Sequence, residues 1–159
     1  MTLEKLSQLS WYKAEPTSPK EIADLFSIVD RSFSDLKVGG ISDDLRFQAA
    51  YNGILTLTNI ARRANGFRVA SGQGHHRRVI ESLTYTLTTQ DQTALEKWVR
   101  KLKAHSQKRN AASYDAAGAV SPNDIAQIIR DLASLHEQVM DYLKQTHKEL
   151  LPYRQRSPA

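Results

Sequence analysis

Apolar residues recur at helical spacing through most of this chain, and five helices account for the pattern. The first spans about Pro19 to Lys37, with Ser18 as N-cap and Pro19 at the first helical position. Ile22, Leu25, Phe26, Val29, Phe33 and Leu36 share its apolar face, and Gly39-Gly40 ends it. Ser42 caps a second helix that runs to about Asn65, with Asp43 and Asp44 in a first turn where negative charge suits the helix dipole. This helix is apolar on two sides. Phe47, Ala50, Tyr51, Ile54, Leu57 and Ala61 form one stripe, and Leu45, Ala49 and Leu55 lie partly on another. A helix of that kind belongs in the middle of a bundle, and Ala49, Ala50 and Gly53 permit close approach by its neighbours.

A loop is expected from Gly66 to Gly74, then a third helix from about His75 to Leu87 carrying Val79, Ile80, Leu83 and Leu87. The fourth begins near Thr89 to Asp91 and shows Leu95, Trp98, Val99 and Leu102. Ser121, Pro122 and Asp124 open the fifth as N-cap, first-position proline and early acid, and it carries Ile125, Ile128, Ile129, Leu132, Leu135, Val139 and Leu143. No strand is expected, and Thr84 to Thr89 continues the third helix's spacing. The expectation is an all-α, up-and-down bundle of about five helices over residues 19–147. Residues 1–18 form an N-terminal segment, and 148–159 a basic tail expected to fray.

Charge sharpens this picture. Leu45 to Ile80 holds no acid but has Arg46, Arg62, Arg63, Arg68, Arg77 and Arg78. Lys97 to Tyr114 again holds no acid, against Lys97, Arg100, Lys101, Lys103, Lys108 and Arg109. The flanks reverse the balance, with eight acids to five bases in Met1–Asp44 and six to three in Asp115–Glu149. Such a basic middle either binds a polyanion such as RNA or pairs with the acidic flanks, inside the fold or across a dimer. There is no cysteine, which excludes disulfides, thiolate metal sites and cysteine nucleophiles. No apolar run approaches the ~20 residues that span a bilayer, and the N-terminus has no secretory pattern. A cytoplasmic prokaryotic protein with no cofactor is expected.

Candidate chemistry concentrates at the end of the fourth helix. Stepping back by sevens from Arg109 reaches Leu102 and Leu95, so a charge lies in phase with an apolar stripe. A cation so placed calls for an anion, either a carboxylate of the protein or a phosphate from outside. His105 shares that side, Asn110 follows, and Tyr114 lies just beyond. Arginine for charge, asparagine for orientation and histidine for proton transfer would suit a phosphodiester. The same residues also suit a helix C-terminal cap, where cations meet the last carbonyls and Tyr114 is simply core. Lys101 and Lys108 add basic charge along this helix, and His76 and Arg77 at the start of the third helix add more. His75 and His76 are adjacent and point apart, so no metal site is expected there. Gly72-Gln73-Gly74 precedes a helix start and has neither Walker nor dinucleotide spacing; it reads as an anion cradle or a turn. His136 falls among apolar positions and reads as a core or interface residue.

The run Lys108-Arg109-Asn110-Ala111-Ala112-Ser113-Tyr114-Asp115 resembles the signature of HEPN domains, small helical bundles common in prokaryotic toxin–antitoxin and defence systems. The stretches from Ile41 to Asn52 and from Gly74 to Leu83 are similar to a bacterial subgroup of that superfamily, and the resemblance extends from about Pro19 to Leu143. It implies a homodimer with motif helices facing across a basic cleft, and a metal-independent endoribonuclease pattern of arginine, polar residue, short spacer and histidine. Arg109 and Asn110 match the first two positions, while Tyr114 stands where the histidine belongs. A phenol is a poor general base at neutral pH but can donate a hydrogen bond to phosphate. RNA is therefore the expected partner. The alternative is a non-catalytic dimeric module or antitoxin that engages a nucleotidyltransferase or another cognate protein.

Overall fold

The computed structural model describes residues 3–72, 74–112 and 118–151. In chain order these form α1 (Leu3–Gln8), β1 (Tyr12–Ala14), α2 (Pro19–Asp35), α3 (Asp43–Ala64), β2 (Phe67–Val69), α4 (His75–Glu81), α5 (Leu83–Thr86), α6 (Gln92–Asn110), α7 (Pro122–Thr146) and a final 3-10 turn, Lys148–Leu150. The architecture is an all-α helical bundle. Its long helices start where the capping residues dictate. Ser18, Ser42 and Asp91 accept hydrogen bonds from the backbone N–H of Glu21, Leu45 and Ala94. Ser121 and Asp124 form a reciprocal capping box.

α3 is the central helix. It packs most extensively against α2 and α7, and its buried residues cover most of its circumference from Phe47 to Ala64. Gly53 sits at the closest approach: a Cβ there would lie 2.8 Å from Leu132 Cδ1 and 3.0 Å from Ser32 Cβ. The main core combines these residues with Ile22, Phe26 and Val29 of α2, Trp98 and Leu102 of α6, and Ile128 to Leu143 of α7.

The structure departs from the sequence reading in three places. First, β1 and β2 pair as an antiparallel ribbon with Tyr12 opposite Val69 and Ala14 opposite Phe67. Each strand is three residues long, too short for an alternating pattern to register. Leu6, Tyr12, Val69 and Val79 close a small second core beneath the ribbon, so the N-terminal segment belongs to the fold. Second, the third predicted helix is split at Ser82 into α4 and α5. The hydroxyls of Ser82, Thr84 and Thr86 donate to the carbonyls of Val79, Glu81 and Ser82, the kind of local side-chain bonding that competes with regular helix. Third, residues 148–151, assigned with the tail, end in Leu150 and Leu151, both buried in the main core. Among the described residues no helix is long and apolar enough to cross a membrane.

Candidate phosphate site at the end of α6

Six of the twelve cations of the basic middle meet a carboxylate among the described residues. Arg63, only 5% exposed at its side chain, meets Glu15 at 3.3 Å and Glu21 at 3.0 Å. Its Nη1 and Nη2 donate to the carbonyls of Glu15, Pro16 and Phe67, which ties α3 to both strands of the ribbon. Arg46 donates to the Leu36 carbonyl beyond the end of α2. Arg77 and Lys103 share Glu81, at 3.5 and 3.0 Å. On α6, Lys101 reaches Asp131 and Lys108 reaches Asp124, each at 3.4 Å. The flanking acids thus pair with the basic middle.

His105 is also engaged. Its Nε2 lies 2.7 Å from Asp131 Oδ2, and the two side chains are 11% and 4% exposed. The ring stands edge-on to Phe47. Burial alone would raise the Asp131 carboxyl. The His105 hydrogen bond, the Lys101 ammonium and the Gln127 amide outweigh it and hold the group below its ordinary range.

Arg109 behaves differently. Its phase along α6 carries it toward the bundle, as the spacing predicts, but among the described residues no carboxylate meets it. Its Cζ lies 5.2 Å from the centre of the Tyr51 ring, a cation–π contact with α3. Among the described residues its buried Nε has no hydrogen-bond partner, nor have the Tyr51 hydroxyl and Asp44 Oδ1. Asp44 is two helical turns before Tyr51, on the same side of α3, and its other oxygen accepts from the Gly118 N–H. The junction of α3, the end of α6 and the chain near Gly118 therefore gathers three polar atoms whose bonding is incomplete. Beyond Asn110 the helix widens to π geometry at residues 111–112.

The other residues singled out in the sequence distribute as follows. Asn110 is exposed at the end of α6, beside Arg109. Tyr114 lies outside the described residues. Arg77 is an exposed residue of α4, and His76 belongs to that helix with its side chain outside the described set. Lys101 lies over the Trp98 ring as well as against Asp131. Arg109 and Asn110 are chain neighbours at the end of α6 that do not face one another; His105, Lys101 and Asp131 form a separate cluster between α6 and α7, and Arg77 lies on another helix. Among the described residues no His, Asp and Glu group is arranged to hold a metal.

Two residues of this region escaped sequence reading. Asp131 is three residues after Ile128 and four before Leu135, on the apolar stripe of α7. The phase argument that exposed Arg109 applies to it equally. Tyr51 was assigned to core packing, and nothing in its spacing distinguishes a ring that faces a guanidinium. No protein-family model, curated protein or solved structure matches this chain.

Proposed function

We propose that this chain is a HEPN-like protein of a prokaryotic toxin–antitoxin or defence system that engages RNA through its phosphates, with Arg109 as the anchor. The observation that carries this reading is the Arg109 guanidinium: it has no carboxylate among the described residues, and its Nε is buried without a partner. A phosphate would supply the missing acceptor oxygens and balance the charge. Asn110 is exposed next to it to orient the same group. Lys97 and Arg100, exposed on α6 and in no ion pair among the described residues, add a salt-sensitive attraction for the RNA backbone.

Cleavage on this scaffold would have a ribose 2′-hydroxyl attack the adjacent phosphorus while the 5′-oxygen leaves. Arg109 would stabilise the charge on the phosphate oxygens, with Tyr114 hydrogen-bonding a phosphate oxygen or the leaving group. The proton of the 2′-hydroxyl needs an acceptor. The imidazole on this helix, His105, is committed to Asp131 and buried. That observation favours a second reading, in which the protein is a non-catalytic dimeric module or antitoxin that engages a nucleotidyltransferase or a similar partner.

The deciding experiment measures RNA cleavage in EDTA by wild type and Arg109→Ala. Wild-type activity that disappears in the variant supports the nuclease. Retention of labelled RNA at low salt, lost in Arg109→Ala and without cleavage, supports RNA binding without catalysis, and no RNA binding by a folded wild type favours the second reading. Equal binding and cleavage by both proteins would remove Arg109 from the site.

A further inference from the structure

A second buried cation without an acid among the described residues lies about three helical turns along α3 from Tyr51, beneath a cleft of about 400 Å³ between α3, β2 and α4. Arg62 forms its floor and is 4% exposed. Its Nη1 donates to Ser82 Oγ and its Nη2 to Asn59 Oδ1, both neutral acceptors, and its Nε has no partner among the described residues. No carboxylate pairs with it among the described residues. Burial pulls the pKa of this guanidinium down to about 10, with Tyr12 opposing the shift and Arg63 adding to it. A guanidinium is seldom buried without an acid, because desolvation then goes uncompensated.

The neighbouring charges do not supply the deficit. Arg63 takes both Glu15 and Glu21, and Arg68, on the cleft rim, shares Glu15 at 3.6 Å. Three guanidinium groups, Arg62, Arg63 and Arg68, thus face two carboxylates, leaving one positive charge in excess. The Arg68–Glu15 pair is about half exposed on both sides and therefore weak, so Arg68 can turn to a ligand at little cost. Asn59 has its amide nitrogen uncommitted among the described residues. Leu55, Val69 and Val79 supply an apolar wall. A cleft of this size, apolar on one side with a few convergent cationic and amide groups, matches the general design of a small-molecule site. Two arginines at one cleft favour a phosphate over a monocarboxylate, since a phosphate carries more charge and more acceptor oxygens.

We propose that the cleft over Arg62 binds a terminal phosphate with its attached nucleoside, at a site separate from the Arg109 cluster. A free mononucleotide and the 5′-end of an RNA present the same chemistry, and the test separates them.

Isothermal titration of the full chain with AMP, with adenosine as control, reads the first source. Direct titration with short 5′-phosphorylated RNA, against the same RNA ending in a 5′-hydroxyl, reads the second. Saturable binding of AMP but not adenosine is expected, weakened about tenfold in Arg68→Ala and lost in Arg62→Met. Binding of the phosphorylated RNA alone would assign the site to RNA ends. If neither ligand shows phosphate-dependent binding, or if Arg68→Ala and a folded Arg62→Met bind as well as wild type, the proposal is overturned. Arg68 lies on the surface, so Arg68→Ala decides the matter even where Arg62→Met fails to fold.

Discussion

His105 on α6 and Asp131 on α7 meet at 2.7 Å inside the bundle and lock the two helices together. Asp131 also receives Lys101 and the Gln127 amide, so one buried carboxylate organises three donors. Removing it would leave the buried His105 ring without its partner, while Lys101 and Gln127 are only partly buried. Asp131→Asn keeps the volume but loses the charge, and is expected to cost about 1–3 kcal/mol at neutral pH. The Asp131 carboxyl is depressed in the folded state. Its contribution is therefore full above the ordinary aspartate range and disappears as pH falls through the folded value. Urea unfolding of both proteins at several pH values should show their stabilities converging in acid. A constant gap down to the lowest pH would mean that the charge on Asp131 contributes nothing.

Arg109 offers the reverse case. Among the described residues it has no ion pair to lose and its Nε has no partner, so Arg109→Ala should change stability by less than about 1 kcal/mol. The same substitution should reduce RNA retention at least tenfold at low salt, with a shallower salt dependence. Arg109→Lys keeps the charge without the planar fork and should fall between the two. Parallel urea melts and filter-binding isotherms read both effects. A variant that loses binding only because it unfolds would fail this test.

The long helices were legible because their signals are local. Caps at Ser18, Ser42, Asp91 and Ser121 lie next to apolar stripes that repeat for three turns or more. The ribbon was not, because Tyr12 and Val69 find each other across the whole of α2 and α3 and each strand has only three residues. The break at Ser82 was hidden because Val79, Ile80, Leu83 and Leu87 keep a helical rhythm through it. In the site, phase alone revealed that Arg109 faces inward. Which cations remain unpaired depends on contacts between distant segments, as with Lys101 and Asp131 or Arg63 and Glu15, and no spacing rule encodes them.

Arg63 illustrates how much one such contact holds. It joins Glu15, Glu21 and three carbonyls from both sides of the ribbon. Arg63→Ala would strand those carbonyls, while Glu15 and Glu21 are close to half exposed and Glu15 keeps Arg68, so a loss of about 1–3 kcal/mol is expected. Hydrogen exchange should place the damage first at the amides of β1 and β2, with α7 still protected. Uniform loss of protection across the bundle would count against this local role.

Gly53 tests the packing between helices. Alanine is the better helix former by about 1 kcal/mol, yet its Cβ would stand 2.8 Å from Leu132 Cδ1 and 3.0 Å from Ser32 Cβ. Overpacking costs about 1–3 kcal/mol, so crowding should win and Gly53→Ala should lower the urea midpoint. A raised midpoint would show that Leu132 turns aside freely.

His136 is expected to make the fold sensitive to mild acid. Its ring stands edge-on between Phe26 and Phe33, and burial holds its pKa below the ordinary histidine value of 6.5, against a smaller opposing pull from Asp30. His147, beside Tyr142, is lowered by burial in the same way, with Glu149 opposing. Below pH 6.5 the unfolded chain binds protons that the folded chain refuses, so stability falls as pH drops from there through the folded values. His136→Phe cannot take up a proton and keeps an aromatic ring against Phe26 and Phe33. It should reduce the fall in Tm between pH 7.5 and 5. An unchanged slope in this variant, with His147 intact, would assign the acid sensitivity elsewhere.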